Sequence, residues 1–264
     1  ESVYEGVSTI DIVKISKHVL NVQLLDSPYK ILAADVNNSG TISTLDIVGV
    51  RKIVLRVSSE FQNQKVWEFV PADFQLDIAD VWENPIPHKA TITKFDTDKT
   101  VDFVAFKMGD VDNSFLIQAN GIDDRAQGVV ALRASTPDLR TGETTIIPVY
   151  AQDVTALEGI QFTLAPTNSD VRILGIKGVK LNNIDENNYF INESGILTFS
   201  WNGEVDLNKD DVLFEVEVVA TSDVETNKIF SITSELTTAE AFDASLTVQG
   251  VSLEFDEGIA GNEF

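Results

Sequence analysis

The twelve residues from Asp35 to Asp46 constrain the fold of this chain more than any other stretch. Gly40 stands at position six, where the backbone of a metal-binding loop has to turn sharply. Ca²⁺ takes six to eight oxygen ligands, and one short loop can supply them. The sequence therefore predicts a calcium site, the alternative being an Asx-rich turn that caps a helix without a metal. Its ligands would stand at positions one, three, five, seven (a backbone carbonyl), nine and twelve: Asp35, Asn37, Ser39, Thr41, Ser43 and Asp46.

A partial copy of this stretch occurs near the start of the chain. The sequence STIDIV of Ser8–Val13 recurs as STLDIV in Ser43–Val48. Internal repeats at a fixed offset indicate duplicated structural units. The early copy keeps a closing Asp11 and a Gly6 that roughly matches Gly40, but the opening half of its loop is absent from this stretch. Three later pairs also match: Lys17 with Lys52, Val19 with Val54, and Leu20 with Leu55.

A second partial copy lies about 100 residues further along. The sequence DVDNS of Asp110–Ser114 nearly repeats DVNNS of Asp35–Ser39, and no closing Asp follows at the right distance. One copy is thus an opening half and the other a closing half. We hypothesise that the halves meet, within one chain or between neighbouring chains, and form a split metal site. The alternative is a remnant that forms an acidic turn. The site would contain Asp11, Asp110, Asp112 and Ser114.

The closing Asp and the helix directly behind it resemble dockerins more than EF-hands, which usually close on Glu. Dockerins are duplicated calcium modules that bind cohesins in extracellular scaffolds. The resemblance implies a small α module with helices over 7–22 and 45–57. Residues 58–118 resemble the extension that accompanies dockerin-like repeats in large secreted bacterial surface proteins, with strands predicted at Thr91–Phe95 and Val101–Lys107. A first domain over 1–118 is therefore expected.

Tryptophan and phenylalanine are concentrated in this extension. Such residues next to apolar runs are usually core, but exposed and coplanar rings would form a platform for stacking sugars. The candidates for ligand stacking are Trp67, Trp82 and, further along the chain, Trp201.

Residues 119–127 are polar and predict a domain boundary. Short alternating segments follow over 128–255, and their number and spacing predict an all-β sandwich. The predicted strands are Val129–Ala134, Thr144–Ala151, Gly159–Leu164, Val171–Val179, Ile196–Trp201, Val212–Ala220, Lys228–Thr233 and Ser245–Phe255.

This second half resembles the cohesin family. The resemblance rests on TTIIPV at Thr144–Val149, GIQFTL at Gly159–Leu164, FSW at Phe199–Trp201 and LFEV at Leu213–Val216. It implies a jelly-roll sandwich that binds a dockerin through one sheet face. The tail over 256–264 resembles the linker before the sorting domain of type IX-secreted proteins. Together with a start inside a repeat, it leads us to expect a processed or partial chain.

Composition excludes several functions. The net charge of -23, from 42 acidic and 19 basic residues, argues against nucleic acid and anionic membranes, which need clustered cations. The absence of Cys excludes disulfides and thiolate chemistry. No apolar run is long enough to span a bilayer, so direct membrane insertion is not expected. With two His and no nucleophile or phosphate-loop motif, the sequence predicts a protein that is not an enzyme.

Together these features predict a multidomain extracellular or cell-surface protein with structural calcium. Its partners would be other modules through a cohesin–dockerin type of contact, including copies of itself joined head to tail into filaments. One alternative is a carbohydrate-binding or scaffold module of a larger secreted enzyme. Another is a plug and socket within one chain, which would make a monomeric spacer.

Overall fold

The computed structural model describes residues 2–62, 64–83, 85–93, 98, 100–115, 128–135, 138–224 and 229–256. The chain forms two compact units. Unit 1 contains the described residues up to 115 except Leu55–Val57, which group with unit 2, and unit 2 contains those from 128 onward. The predicted boundary over 119–127 and the tail from 257 lie outside the described residues.

Unit 1 is built on three helices, α1 (Thr9–Val19), α2 (Pro28–Ala34) and α3 (Thr44–Val54). Helix α1 contacts α3, and the apolar faces of all three share one core. Helix α1 is shorter than the predicted 7–22. It begins after Ser8, whose N–H donates to the Asp11 carboxylate at 2.9 Å, and the chain leaves the helix before a left-handed Asn21. The same pattern of apolar residues that identified the repeat therefore builds this core.

The strand pair of unit 1 differs from the prediction. Residues 91–93, the described part of the predicted strand Thr91–Phe95, are irregular. The predicted strand Val101–Lys107 is present as β2 (Phe103–Lys107), and it forms an antiparallel pair with β1 (Trp67–Pro71), in which Trp67 lies opposite Lys107. Both strands contribute to the core of unit 1, β1 through Val70 and β2 through Phe106.

Unit 2 is a single hydrogen-bonded path of strands in the order β6-β9-β4-β3-β12-β11-β5-β8-β7, with β10 also paired to β5. The pairs are antiparallel except that of β12 and β3. The strands are β3 (Val129–Ala134), β4 (Thr144–Ala151), β5 (Ala156–Pro166), β6 (Val171–Gly178), β7 (Tyr189–Ile191), β8 (Leu197–Asp206), β9 (Val212–Ala220), β10 (Phe230–Thr233), β11 (Glu240–Phe242) and β12 (Val248–Phe255).

This path folds back on itself to enclose a core. Strands β5 and β9 are far apart in the pairing order, yet the Phe162 and Phe214 rings are 5.7 Å apart and Phe199 is within 5.8 Å of both. Rings from distant strands can meet only if two layers face each other. The predicted β-sandwich is confirmed. Among the described residues, no helix has the length and hydropathy needed to cross a bilayer.

Candidate metal centre

The continuous loop is held by its two terminal carboxylates. Asp35 accepts hydrogen bonds from the N–H groups of Ser39 at 2.9 Å and Gly40 at 2.8 Å. Asp46 accepts the Ser43 N–H at 2.8 Å and its hydroxyl at 3.1 Å. Both acids are buried. Each half of the loop is thus closed by its own acid, one at position one and one at position twelve.

Asn37 supplies an oxygen that the described residues leave unpaired. Its Oδ1 atom is buried and has no hydrogen-bond partner. Buried polar atoms are almost always paired, so each exception needs an explanation. Asn37 stands at position three, where the sequence predicts a ligand oxygen, and a hard cation would satisfy it. The residues present therefore fit a calcium ion.

The two half-loops lie together in unit 1. Carboxylate oxygens of Asp11, Asp110 and Asp112 lie within 4.8 Å of one another. The N–H groups of Val111 and Asp112 donate to Asp11 Oδ1 at 2.8 and 3.2 Å, and the Ser114 hydroxyl donates to the Gly6 carbonyl at 3.0 Å. The predicted members of the split site, Asp11, Asp110, Asp112 and Ser114, are thus gathered within a single chain.

The opening halves of the two loops share their hydrogen bonds. Asp110 accepts the N–H groups of Ser114 at 3.0 Å and Phe115 at 3.1 Å, just as Asp35 accepts those of the fifth and sixth positions of its own loop. The fourth position is left-handed in both, with φ of 57° at Asn38 and 62° at Asn113. The sequence likeness between these halves therefore extends to their backbone conformation.

The closing halves also correspond. Asp11 accepts the Ser8 N–H at 2.9 Å, and Asp46 accepts the equivalent bond from Ser43 at 2.8 Å. The Ser114 hydroxyl donates to the Gly6 carbonyl at 3.0 Å. In the continuous loop the Ser39 hydroxyl, at position five, donates to the Thr41 carbonyl, at position seven, also at 3.0 Å. These bonds extend the correspondence across the point where the chain is interrupted.

The correspondence corrects the expected match of Gly6 with Gly40. Phe115 donates the position-six bond, so Gly6 takes position seven and offers its carbonyl. Residues 110–115 then supply positions one to six and residues 6–11 supply positions seven to twelve, with nothing missing. A Cβ on Gly6 would lie 2.6 Å from Phe115 Cβ, and its φ is +72°. Sequence reasoning missed this because it aligned the two copies on their glycines.

Charge repulsion is concentrated in the split loop. Burial, with the neighbouring Asp112 and Asp110, raises the pKa of Asp11 well above 3.8. Burial and Asp112 raise the pKa of Asp110 to about 7. In the continuous loop, burial raises the pKa of Asp46. A divalent cation would remove this repulsion, since it neutralises the carboxylates that burial deprives of water.

The three tryptophans occupy different environments. Trp201 is 1% exposed and its Nε1 donates to the Asn182 carbonyl at 2.8 Å, so its ring is not available for stacking a ligand. Trp67 is half-buried, with its ring edge-on to Phe115 at 4.9 Å. Trp82 is 42% exposed and lines a cavity of about 280 Å³ together with Glu68 and His88.

Comparison with known proteins gives matches only among solved structures. No family model matches the sequence, and no curated protein does. Similar structures include the cohesin–dockerin complex Coh-OlpC-Doc435 from Clostridium thermocellum, at 16% identity and a TM-score of 0.38, covering 49% of this chain and 91% of that one. The Coh-OlpA-Doc918 complex from the same organism has 14% identity and a TM-score of 0.37, covering 48% of this chain and 99% of that one. A non-cellulosomal cohesin from Archaeoglobus fulgidus has 14% identity and a TM-score of 0.36, covering 49% of this chain and 93% of that one.

Proposed function

We propose that this chain is a non-enzymatic, calcium-binding interaction module of extracellular or cell-surface assemblies, with two calcium ions in unit 1. The observation that supports it is the meeting of Asp11, Asp110 and Asp112 in a second twelve-position loop. Three carboxylates, a hydroxyl and a backbone carbonyl are the oxygen ligands that Ca²⁺ prefers.

Calcium would have a structural role. In each loop the closing Asp lies in the first turn of a helix, α1 or α3, so an ion would join loop and helix. At the split loop it would also join the beginning of unit 1 to its end. Because the unfolded chain cannot assemble either site, the binding free energy becomes folding free energy.

Exposed apolar side chains on unit 1 support a protein partner. Leu20 and Val22 after α1 are each 72% exposed, and Leu45 on α3 is 69% exposed. The strongly acidic composition makes nucleic acid an unfavourable partner. We therefore favour a partner protein module, of the cohesin type that the dockerin resemblance implies, and a copy of this chain would supply one in a head-to-tail filament.

The test combines calcium titration with particle mass. Calorimetry on the full chain should give two calcium ions per chain, and light scattering should show assemblies that dissolve in chelator. One ion per chain would contradict the split site, and none would contradict calcium binding altogether. If the chain is a monomer both with and without calcium, the self-assembly hypothesis is excluded and the partner must be a different protein.

The cavity beside Trp82 favours a second candidate function, carbohydrate binding. Glu68 Oε2 lies 3.0 Å from His88 Nδ1, and the half-exposed indole would stack on a sugar ring while these groups bond its hydroxyls. A panel of soluble polysaccharides in affinity electrophoresis tests it. Retardation that Trp82→Ala abolishes and Trp201→Phe leaves intact would support this function, and no retardation would exclude it for that panel.

A further inference from the structure

Lys107, the last residue of β2, is a buried cation next to the split loop. Its side chain is only 2% exposed. Its ammonium group donates to the Ser2 carbonyl at 2.7 Å and to the Glu5 carbonyl. The same nitrogen lies 4.7 Å from the centre of the Phe115 ring and 6.0 Å from that of Trp67. Burying an ammonium group is costly, and these carbonyls and ring faces offset that cost.

These contacts lie on both sides of the break in the loop. Phe115 holds position six, and the Glu5 carbonyl immediately precedes Gly6 at position seven. In the sequence, only two residues separate Lys107 from Asp110, which holds position one of the split loop. One side chain thus contacts the last residue of the opening half and the backbone that leads into the closing half. In the continuous loop a peptide bond joins the same two positions.

We propose that Lys107 is a positioning residue that holds the two halves of the split loop together and thereby sets the calcium affinity of that site. The proposal rests on calcium binding at the split loop, as proposed above. Without the ammonium group, residues 2–7 lose the hydrogen bonds to the Ser2 and Glu5 carbonyls. The two half-loops would then be together in only a fraction of the molecules. The apparent dissociation constant rises as the closed fraction falls, so we expect about tenfold weaker binding.

The test uses the full chain in two backgrounds that isolate the sites. Asp35→Asn with Asp46→Asn leaves the split loop, and Asp11→Asn with Asp110→Asn leaves the continuous loop. Calcium affinity is measured by calorimetry after Lys107→Met, Lys107→Gln or Lys107→Arg in each background. Lys52→Met, at an exposed lysine of the same unit, is the matched control. Circular dichroism in chelator checks that each variant is folded.

Lys107→Met should weaken the split loop about tenfold and leave the continuous loop and the Lys52→Met control unchanged. Lys107→Arg, which keeps a cation with several donors, should recover most of the affinity. If Lys107→Met does not fold, the same pattern with a smaller loss is expected of Lys107→Gln. Equal weakening of both loops would show a general stabilising role and overturn the proposal, as would split-loop binding that none of the variants alters. No calcium binding in the split-loop background would overturn the split site itself.

Discussion

The two loops of unit 1 share several hydrogen bonds and differ in how the chain supplies their positions. In one, twelve consecutive residues run from Asp35 to Asp46, and in the other the positions come from 110–115 and 6–11. In the split loop the closing acid Asp11 also accepts N–H groups from the opening half, so hydrogen bonds across the break take the place of a continuous backbone. What continuity provides is local closure, since a loop whose ends are distant in sequence costs more entropy to close. The split loop therefore depends on the folding of unit 1, whereas the continuous loop can close locally.

Calcium removal should produce the largest effect, and it should affect one unit. With calcium at a thousandfold excess over the dissociation constant, each site would stabilise unit 1 by about 4 kcal/mol. Scanning calorimetry with calcium and with chelator should show a much lower midpoint for unit 1 and a nearly constant one for unit 2. A calcium-independent thermogram would contradict the structural role of the ion.

The two closing acids should have separable effects. Asp11→Asn should weaken the split loop by roughly a hundredfold and Asp46→Asn the continuous loop by a similar factor, because each removes a carboxylate ligand. Calorimetric titration of either variant should then give one tight calcium ion per chain. Asp80→Asn, which changes an exposed acid of unit 1, is the control and should still bind two calcium ions tightly. If both variants kept two tight sites, the ligand assignment would be wrong.

The calcium-free protein should lose stability as the pH rises. The pKa of Asp110 is raised from 3.8 to about 7 in the folded state by burial and by Asp112. Between these values the folded state holds more protons than the unfolded one, so the free energy of unfolding falls with increasing pH. Urea unfolding of decalcified protein at about pH 5 and about pH 7.5 measures this. Asp110→Asn should flatten the trend, and a rising trend in the parent would contradict the repulsion within this cluster.

Alanine at the two loop glycines should separate backbone strain from crowding. Gly40 has φ of +78° and open space around it, so Gly40→Ala should cost about 1 kcal/mol from strain alone. At Gly6 the added Cβ would also approach the Phe115 nitrogen to 2.8 Å, so Gly6→Ala should cost more. Urea unfolding of both variants gives the comparison, and equal costs would show that the break is looser than its contacts indicate.

Exchanging the residues at position three should have the smallest effect. Asp112→Asn gives the split loop the ligand set of the continuous loop, and Asn37→Asp does the reverse. A carboxylate binds Ca²⁺ more tightly than an amide, so the first change should weaken its site several-fold and the second should strengthen its own by about 1 kcal/mol or less. Calcium titration of the two variants shows how far the charge at position three sets the calcium affinity of each loop.

The sequence was informative where a feature is local and less so where it depends on distant partners. The spacing of Asp35–Asp46 identifies a loop because all its groups lie within twelve residues. Over the described residues 91–93 the predicted strand Thr91–Phe95 is irregular, and the strand that pairs with β2 is β1, which lies more than 30 residues earlier in the chain. Trp201 could not be excluded from stacking by its position in the strand, because β8 is buried on both faces over Leu197–Trp201 and that depends on the layers that cover it. The contacts of Lys107 could not be predicted from the sequence, because they join residues about 100 positions apart.

The break between Phe115 and Gly6 also determines how unit 1 would carry a mechanical load. The two residues are in contact, so the places where the chain enters and leaves the split loop lie side by side. Tension applied at those places pulls directly on the bonds that join the half-loops, while the helices α1 and α3 bear it only after the halves separate. If an ion binds there, it would join the two half-loops, and the force needed to open the unit would rise with the calcium concentration.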